Sequence, residues 1–146
     1  MDTARRRKIL CVEDEEDIAR LLEMIVGSAP DFEPVVTGDV EEAIRLLAEE
    51  PALVLIDVGL PDMDGYDLCR VIRQRGYARP ILFVSAYASR DDVRRGYEVG
   101  GNDYICKPFD PDELVEKIRR WAGQEPEDDG PEAEAEADDR PPAPLR

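Results

Sequence analysis

Glu13, Asp14, Asp57, Ser85 and Lys107 each stand at the end of a short apolar run. Two neighbouring carboxylates, a third carboxylate, a hydroxyl and an ammonium are therefore candidates for one shared site. Carboxylates crowded together repel one another and hold protons more tightly unless a cation joins them. Oxygen-only ligands with room for water suit Mg²⁺, with Mn²⁺ as the alternative, rather than zinc. A carboxylate beside such an ion can act as a nucleophile toward phosphorus and form an acyl phosphate. In that chemistry Asp57 is the acceptor, Lys107 a point charge for phosphoryl oxygens, and Ser85 a hydrogen-bond donor to another. Catalysis of this kind is mostly positioning and charge stabilisation.

Such a site forms only if the chain brings the ends of those runs together. The runs are Ile9 to Val12, Phe32 to Val36, Leu53 to Ile56, Ile81 to Val84 and Tyr104 to Cys106. The first, third and fourth are continuously apolar, as strands buried on both faces of a parallel sheet are. Between them lie helical periodicities: Ile18, Leu21, Leu22, Ile25 and Val26; then Val40, Ala43, Ile44 and Leu47; then Leu68, Val71 and Ile72; a weak one around Val93 to Tyr97; and finally Leu114, Val115, Ile118 and Trp121. Asp39 with Glu42, and Ser89 with Asp92, read as capping boxes. Pro111 suits a first helical turn, and Gly76 and Gly100 suit helix exits. Asp64, with Asp67 three residues on, reads as another helix cap, and Asp62 as a solvated turn residue.

Five β-α units in succession predict an α/β fold, a flavodoxin-like (βα)5 doubly wound five-stranded parallel sheet of order 2-1-3-4-5. Its switch point lies between the first and third strands, where Glu13, Asp14 and Asp57 fall. Topology and chemistry thus select the same residues.

Composition narrows the function further. The chain has 146 residues and no histidine, which excludes Ser-His-Asp and Cys-His catalysis and His-ligated metals. It equally excludes a histidine kinase or histidine phosphotransfer role for the chain itself. No phosphate-binding P-loop motif is present. A net charge of -16 opposes a basic nucleic-acid face, so nucleic acid is not expected as a partner. The apolar runs are too short for a membrane span or a signal peptide, which points to no membrane association and a cytoplasmic location. Cys11, Cys69 and Cys106 lack metal or disulfide spacing, and Cys11 and Cys106 read as buried thiols. Residues 1–122 are expected to form the folded domain. Residues 123–146, rich in Pro, Glu, Asp and Ala, read as a disordered acidic tail, because they bury too little apolar surface to offset ordering entropy.

Four segments together carry a family resemblance: Lys8 to Glu15 (KILCVEDE), Leu53 to Gly65 (LVLIDVGLPDMDG), Pro80 to Ala86 (PILFVSA) and Gly100 to Phe109 (GGNDYICKPF). In order and spacing they resemble the receiver domain of two-component response regulators, over about residues 7 to 121, and are similar to the stand-alone chemotaxis type. The resemblance implies that Asp57 is the phosphorylated aspartate. It implies that Glu13, Asp14, Asp57 and the Gly59 carbonyl hold the metal. It makes Lys107 the phosphate-binding lysine, Ser85 the switch hydroxyl and Tyr104 the switch aromatic, and gives Lys107–Pro108 a cis bond. The implied partners are a sensor histidine kinase or histidine phosphotransfer protein as donor and a downstream protein target. No output domain is expected after Trp121.

Some positions depart from the commonest family pattern. Glu13 stands where aspartate is more usual, and Ser85 lacks the methyl of the equally familiar threonine, which leaves its rotamer less fixed. Gly59 leaves the mouth of the site open, and Tyr87 partly covers it. Blander readings remain open beside these. Asp14 suits an N-cap, Tyr104 a core aromatic, Lys107 a surface charge, and the tail a solvated linker. Two other functions compete: a phosphorylation-independent pseudo-receiver that only binds partners, and a phosphatase of the haloacid dehalogenase type. The pseudo-receiver would typically have lost one of the acceptor, acid or lysine residues, all of which are present. The phosphatase wants a second aspartate two residues past its nucleophile, where Gly59 stands.

Overall fold

The computed structural model describes residues 6–123 apart from Tyr87. The tail expected over 123–146 therefore lies outside the described residues except for Gly123, and so does Tyr87.

The five expected units are all present. Strands β1 (Arg7–Val12), β2 (Phe32–Thr37), β3 (Leu53–Asp57), β4 (Ile81–Ser85) and β5 (Asp103–Cys106) alternate with helices α1 (Glu16–Gly27), α2 (Val40–Leu46), α3 (Gly65–Gln74), α4 (Arg90–Glu98) and α5 (Pro111–Ala122). A single 3-10 turn, Leu47–Glu49, extends α2. The strands form one sheet in the order β2-β1-β3-β4-β5, and every pairing is parallel.

Alternation along each strand divides the core in two. Ile9, Cys11, Leu53, Leu55, Leu82, Val84 and Ile105 point to one face, where Leu22, Ile25 and Val26 of α1 and Leu114, Ile118 and Ala122 of α5 cover them. Leu10, Val12, Val54, Ile56, Ile81, Phe83 and Tyr104 point to the other, beneath Val40 and Ala43 of α2 and Leu68, Cys69 and Ile72 of α3. Period-2 alternation in a sheet covered on both faces is why β1, β3 and β4 read as unbroken apolar runs.

The helix ends agree with the sequence in part. Ser89 and Asp92 form a reciprocal capping box, and Asp64 accepts from the Tyr66 amide as the cap of α3. Gly76 and Gly100 follow α3 and α4 with φ of +95° and +109°, the left-handed region glycine enters without a Cβ penalty. The expected box at Asp39 does not form. Instead the Thr37 hydroxyl donates to Glu42 Oε1 at 2.6 Å and accepts from the Asp39 amide at 3.1 Å, so a hydroxyl two residues upstream replaces the Asp39 side chain. Nor does Asp14 cap α1. Glu15 holds the N-cap position, without a side-chain bond, and leaves Asp14 to the site.

Candidate functional site

The carboxyl ends of the strands deliver the site residues to one edge. Glu13 follows β1, and its amide donates to the Thr37 carbonyl of β2 at 2.9 Å. Asp57 is the last residue of β3, and the next amide, Val58, donates to the Val84 carbonyl at 3.1 Å. Lys107 follows β5, its amide tied to the Ser85 carbonyl at 2.8 Å. Ordinary sheet hydrogen bonds thus fix the backbone under each functional side chain.

Those side chains converge. Glu13, Asp14 and Asp57 each offer a carboxylate oxygen, all within 4.8 Å of one another. Lys107 Nζ lies 3.0 Å from Asp57 Oδ1 and 3.4 Å from Glu13 Oε1. Asp57 and Ser85 are buried, Asp14 is exposed, and Glu13 is only 2% exposed. The Glu15 amide donates to Glu13 Oε2 at 3.2 Å. Glu13 Oε1 makes no hydrogen bond of good geometry, although Lys107 stands at ion-pair distance. Three carboxylates face one ammonium there.

The electrostatics follow from this crowding. Burial pushes the Glu13 carboxyl above its ordinary range, and the charge of Asp57 pushes it further. Burial pulls the Lys107 ammonium down, but its hydrogen bond to Asp57 and the charges of Glu13 and Asp57 outweigh that, so its net shift is upward.

An oxygen-rich, negatively charged cluster in which one buried carboxylate oxygen has only the Lys107 ion pair and no hydrogen bond of good geometry fits a hard divalent cation. Glu13, Asp14 and Asp57 are the side chains that would hold it. Gly59 lies beside them: a Cβ built there would stand 4.0 Å from Asp57 Oδ2, so the glycine leaves that carboxylate oxygen uncovered.

Two expectations from the resemblance concern the rim. The Lys107–Pro108 bond is cis. Tyr104 points inward against Phe83, with ring centroids 5.9 Å apart, and its hydroxyl hydrogen-bonds Ser85 and lies 2.6 Å from the Tyr66 hydroxyl. Cys106 corrects the sequence reading. It is exposed, whereas Cys11 and Cys69 are buried and burial pushes their thiols to about 12 and about 11. β5 is an edge strand, and at its last residue no further strand lies outside the thiol.

Sequence reasoning missed three contributors. Thr37 receives Glu13 through its carbonyl. Gly38 has no room for a side chain, because a Cβ would lie 2.8 Å from Asp14 Cα and 3.1 Å from the Glu13 carbonyl. The acidic pair is therefore shelved against a glycine of the next β-α connection. Tyr66 reaches Tyr104 from the start of α3. A glycine before an acidic cap was the only signal for Gly38, and Tyr66 had none beyond its place after Gly65.

Comparison with known proteins agrees with this geometry. Residues 9–119 match the response regulator receiver domain. The DNA-binding response regulator MtrA of Mycolicibacterium smegmatis is 42% identical over 120 residues, which cover 82% of this chain and 51% of MtrA, so the chain spans about half the length of that relative. The BeF3-activated N-terminal receiver domain of Klebsiella pneumoniae RstA superposes with a TM-score of 0.75 at 33% identity, covering 81% of this chain and all of that one. The receiver domain of the sensor histidine kinase PA1611 of Pseudomonas aeruginosa, with a magnesium ion coordinated in its active site cleft, gives 0.73 at 31% identity, covering 82% and 99%. A 2-1-3-4-5 parallel sheet with three acids and a lysine gathered at its carboxyl edge, matched over 111 residues from 9 to 119, makes this chain a member of the response regulator receiver domain family.

Proposed function

We propose that the chain is a phospho-acceptor switch in which Asp57 receives a phosphoryl group from the phosphohistidine of a sensor kinase or a histidine phosphotransfer protein. The observation that carries this reading is Lys107 Nζ at 3.0 Å from Asp57 Oδ1 in a cluster of three carboxylates of which Glu13 and Asp57 are buried. An Asp57 oxygen forms the bond to phosphorus, the phosphorus–nitrogen bond of the donor breaks, and the imidazole leaves with its electron pair. Lys107 is in reach of both Asp57 and the incoming oxygens and offsets their charge. Glu13, Asp14, Asp57 and the Gly59 carbonyl would hold a divalent ion such as Mg²⁺, which would supply the remaining charge neutralisation. Ser85 donates a hydrogen bond to a phosphoryl oxygen, and Tyr104 occupies the space that Ser85 and the loop after β4 leave. The surface of α4, β5 and α5 thereby changes its affinity for a downstream protein, a local electrostatic event biasing two states.

No helix among the described residues is long and apolar enough to cross a membrane. The expectation against nucleic acid is withdrawn. It rested on net charge, and relatives that match this chain over about half their length are named DNA-binding regulators.

The test is phosphoryl uptake from acetyl phosphate, read by intact mass, with and without Mg²⁺. A Mg²⁺-dependent adduct that Asp57→Asn lacks is expected. No adduct, either from acetyl phosphate or from a panel of histidine kinases and phosphotransfer proteins, would leave the pseudo-receiver reading in its place.

A further inference from the structure

Tyr66 is the second residue of α3 and is buried at 3% exposure. Its ring packs on Phe83 with centroids 5.1 Å apart, and the Arg95 guanidinium of α4 lies 4.7 Å above it. Arg95 also reaches Asp64, the cap of α3, at 3.6 Å. The Tyr66 hydroxyl stands 3.2 Å from the Asp92 carbonyl, in the first turn of α4, and 2.6 Å from the Tyr104 hydroxyl. Burial pushes both phenols upward, so both keep their protons at neutral pH.

Hydrogen-bond bookkeeping then orders these groups. A carbonyl only accepts, so the Tyr66 proton points to Asp92. Either hydroxyl can donate in the 2.6 Å contact; with the Tyr66 proton on Asp92, Tyr104 donates to Tyr66 and the Tyr104 oxygen accepts from Ser85. In that arrangement a single run of donors passes from Ser85 at the site, through Tyr104 of β5 and Tyr66 of α3, to the backbone of α4.

We propose that Tyr66 is a positioning residue for the switch: its hydroxyl holds Tyr104 inward and fastens that inward position to the first turn of α4, so that ring and helix move together. This rests on the reading of Asp57 as acceptor and Tyr104 as switch aromatic. Ser85 cannot give its one proton both to Tyr104 and to a phosphoryl oxygen. When Ser85 turns to Asp57, Tyr66 is what keeps Tyr104 from turning out.

Tyr66→Phe in the full 146-residue chain isolates the hydroxyl, since the ring keeps its contacts with Phe83 and Arg95. Two readouts decide the proposal. Without Mg²⁺ or any phosphoryl analogue, NMR couplings and ring contacts of Tyr104 are expected to change from one inward rotamer to an averaged set, while contacts between ring 66 and Phe83 persist. With Mg²⁺ and beryllofluoride, amide-shift titration is expected to show affinity falling roughly threefold to tenfold, the worth of one hydrogen bond expressed as a population shift. In a Tyr104→Phe background the same substitution should add nothing further. A single inward Tyr104 rotamer in Tyr66→Phe, or unchanged affinity in a protein that binds the analogue, overturns the proposal. A wild-type chain that binds no beryllofluoride would instead sink the acceptor reading, and the Tyr104 rotamer would still decide the role of Tyr66.

Discussion

Two charged groups at opposite ends of the sheet, Glu13 buried and Arg73 half-buried, solve the same problem in opposite ways. At the carboxyl edge, Glu13 lies among like charges and keeps a carboxylate oxygen without a good hydrogen bond. Beyond the other edge, Arg73 in the last turn of α3 has every donor satisfied. Its Nε and Nη2 donate to the Gly100 carbonyl at 3.1 and 2.7 Å, and Nη2 also to Asn102 Oδ1 at 2.9 Å. Its Nη1 donates to the carbonyls of Tyr77 and Arg79 at 2.9 and 2.7 Å. Burial pulls the Arg73 pKa down, yet guanidinium stays charged. The staple is complete without anything added. The acidic edge keeps an excess of negative charge that a cation would offset, and such local incompleteness is what a functional rather than a structural site shows.

If that contrast is sound, the largest stability effect belongs to the staple. Arg73→Met keeps most of the aliphatic stem and removes its donors from the carbonyls of Tyr77, Arg79 and Gly100 and from Asn102 Oδ1, which retains only the Ile81 amide. A loss of about 3 kcal/mol is expected, read as a fall of roughly 10 °C in a thermal melt. Below its melting point the variant should still take up phosphoryl groups, because nothing at the carboxyl edge has changed. A fall of only a degree or two would mean that water replaces the donors, and the contrast with the site would collapse.

At the acidic edge the sign reverses. Glu13→Gln removes a buried like charge, so in chelator the variant should be more stable than the wild type by about 1 kcal/mol. The wild type, not the variant, should regain stability when Mg²⁺ is added. The pH dependence separates this from a packing effect. Glu13 binds its proton more tightly folded than unfolded. Its favourable contribution is therefore present below the ordinary carboxylate range and is lost as pH rises through its elevated folded value. Melts in chelator from pH 4 to 7 should fall with pH in the wild type more than in Glu13→Gln. Parallel curves would show that Glu13 titrates normally and that the crowding is relieved in another way.

The same contrast explains what could be read from the sequence. Strand order and the acidic edge were legible because buried parallel strands leave unbroken apolar runs, and Glu13, Asp14, Asp57, Ser85 and Lys107 each stand where a run ends. Arg73, Gly38 and Tyr66 were not, because what matters about them is a partner roughly 24 to 38 residues away. Arg73 grips Gly100, Gly38 abuts Asp14, and Tyr66 meets Tyr104. Glu42 has the sequence signature of a box with Asp39, and the nearby Thr37 hydroxyl outcompetes it. Cys106 fails for a related reason: apolar neighbours announce a strand but not that the strand is the last in the sheet.

The smallest effect sharpens the comparison most directly, because it holds distance constant. Lys8 Nζ stands 2.9 Å from Glu49 Oε1, and Lys107 Nζ stands 3.0 Å from Asp57 Oδ1. The first pair has side chains 37% and 45% exposed, the second 19% and 9%. Water and salt screen the exposed pair, and ordering two long side chains costs entropy that offsets the attraction. Lys8→Met should leave the melting temperature within the scatter of the measurement, at low salt and high salt alike. Lys107→Met leaves Glu13 and Asp57 facing each other without an ammonium, so in chelator its melting temperature should fall, and Mg²⁺ should recover more of it than in the wild type. Equal losses from the two substitutions would mean that the buried pair is as well screened as the exposed one, and the cluster would then have no need of a cation.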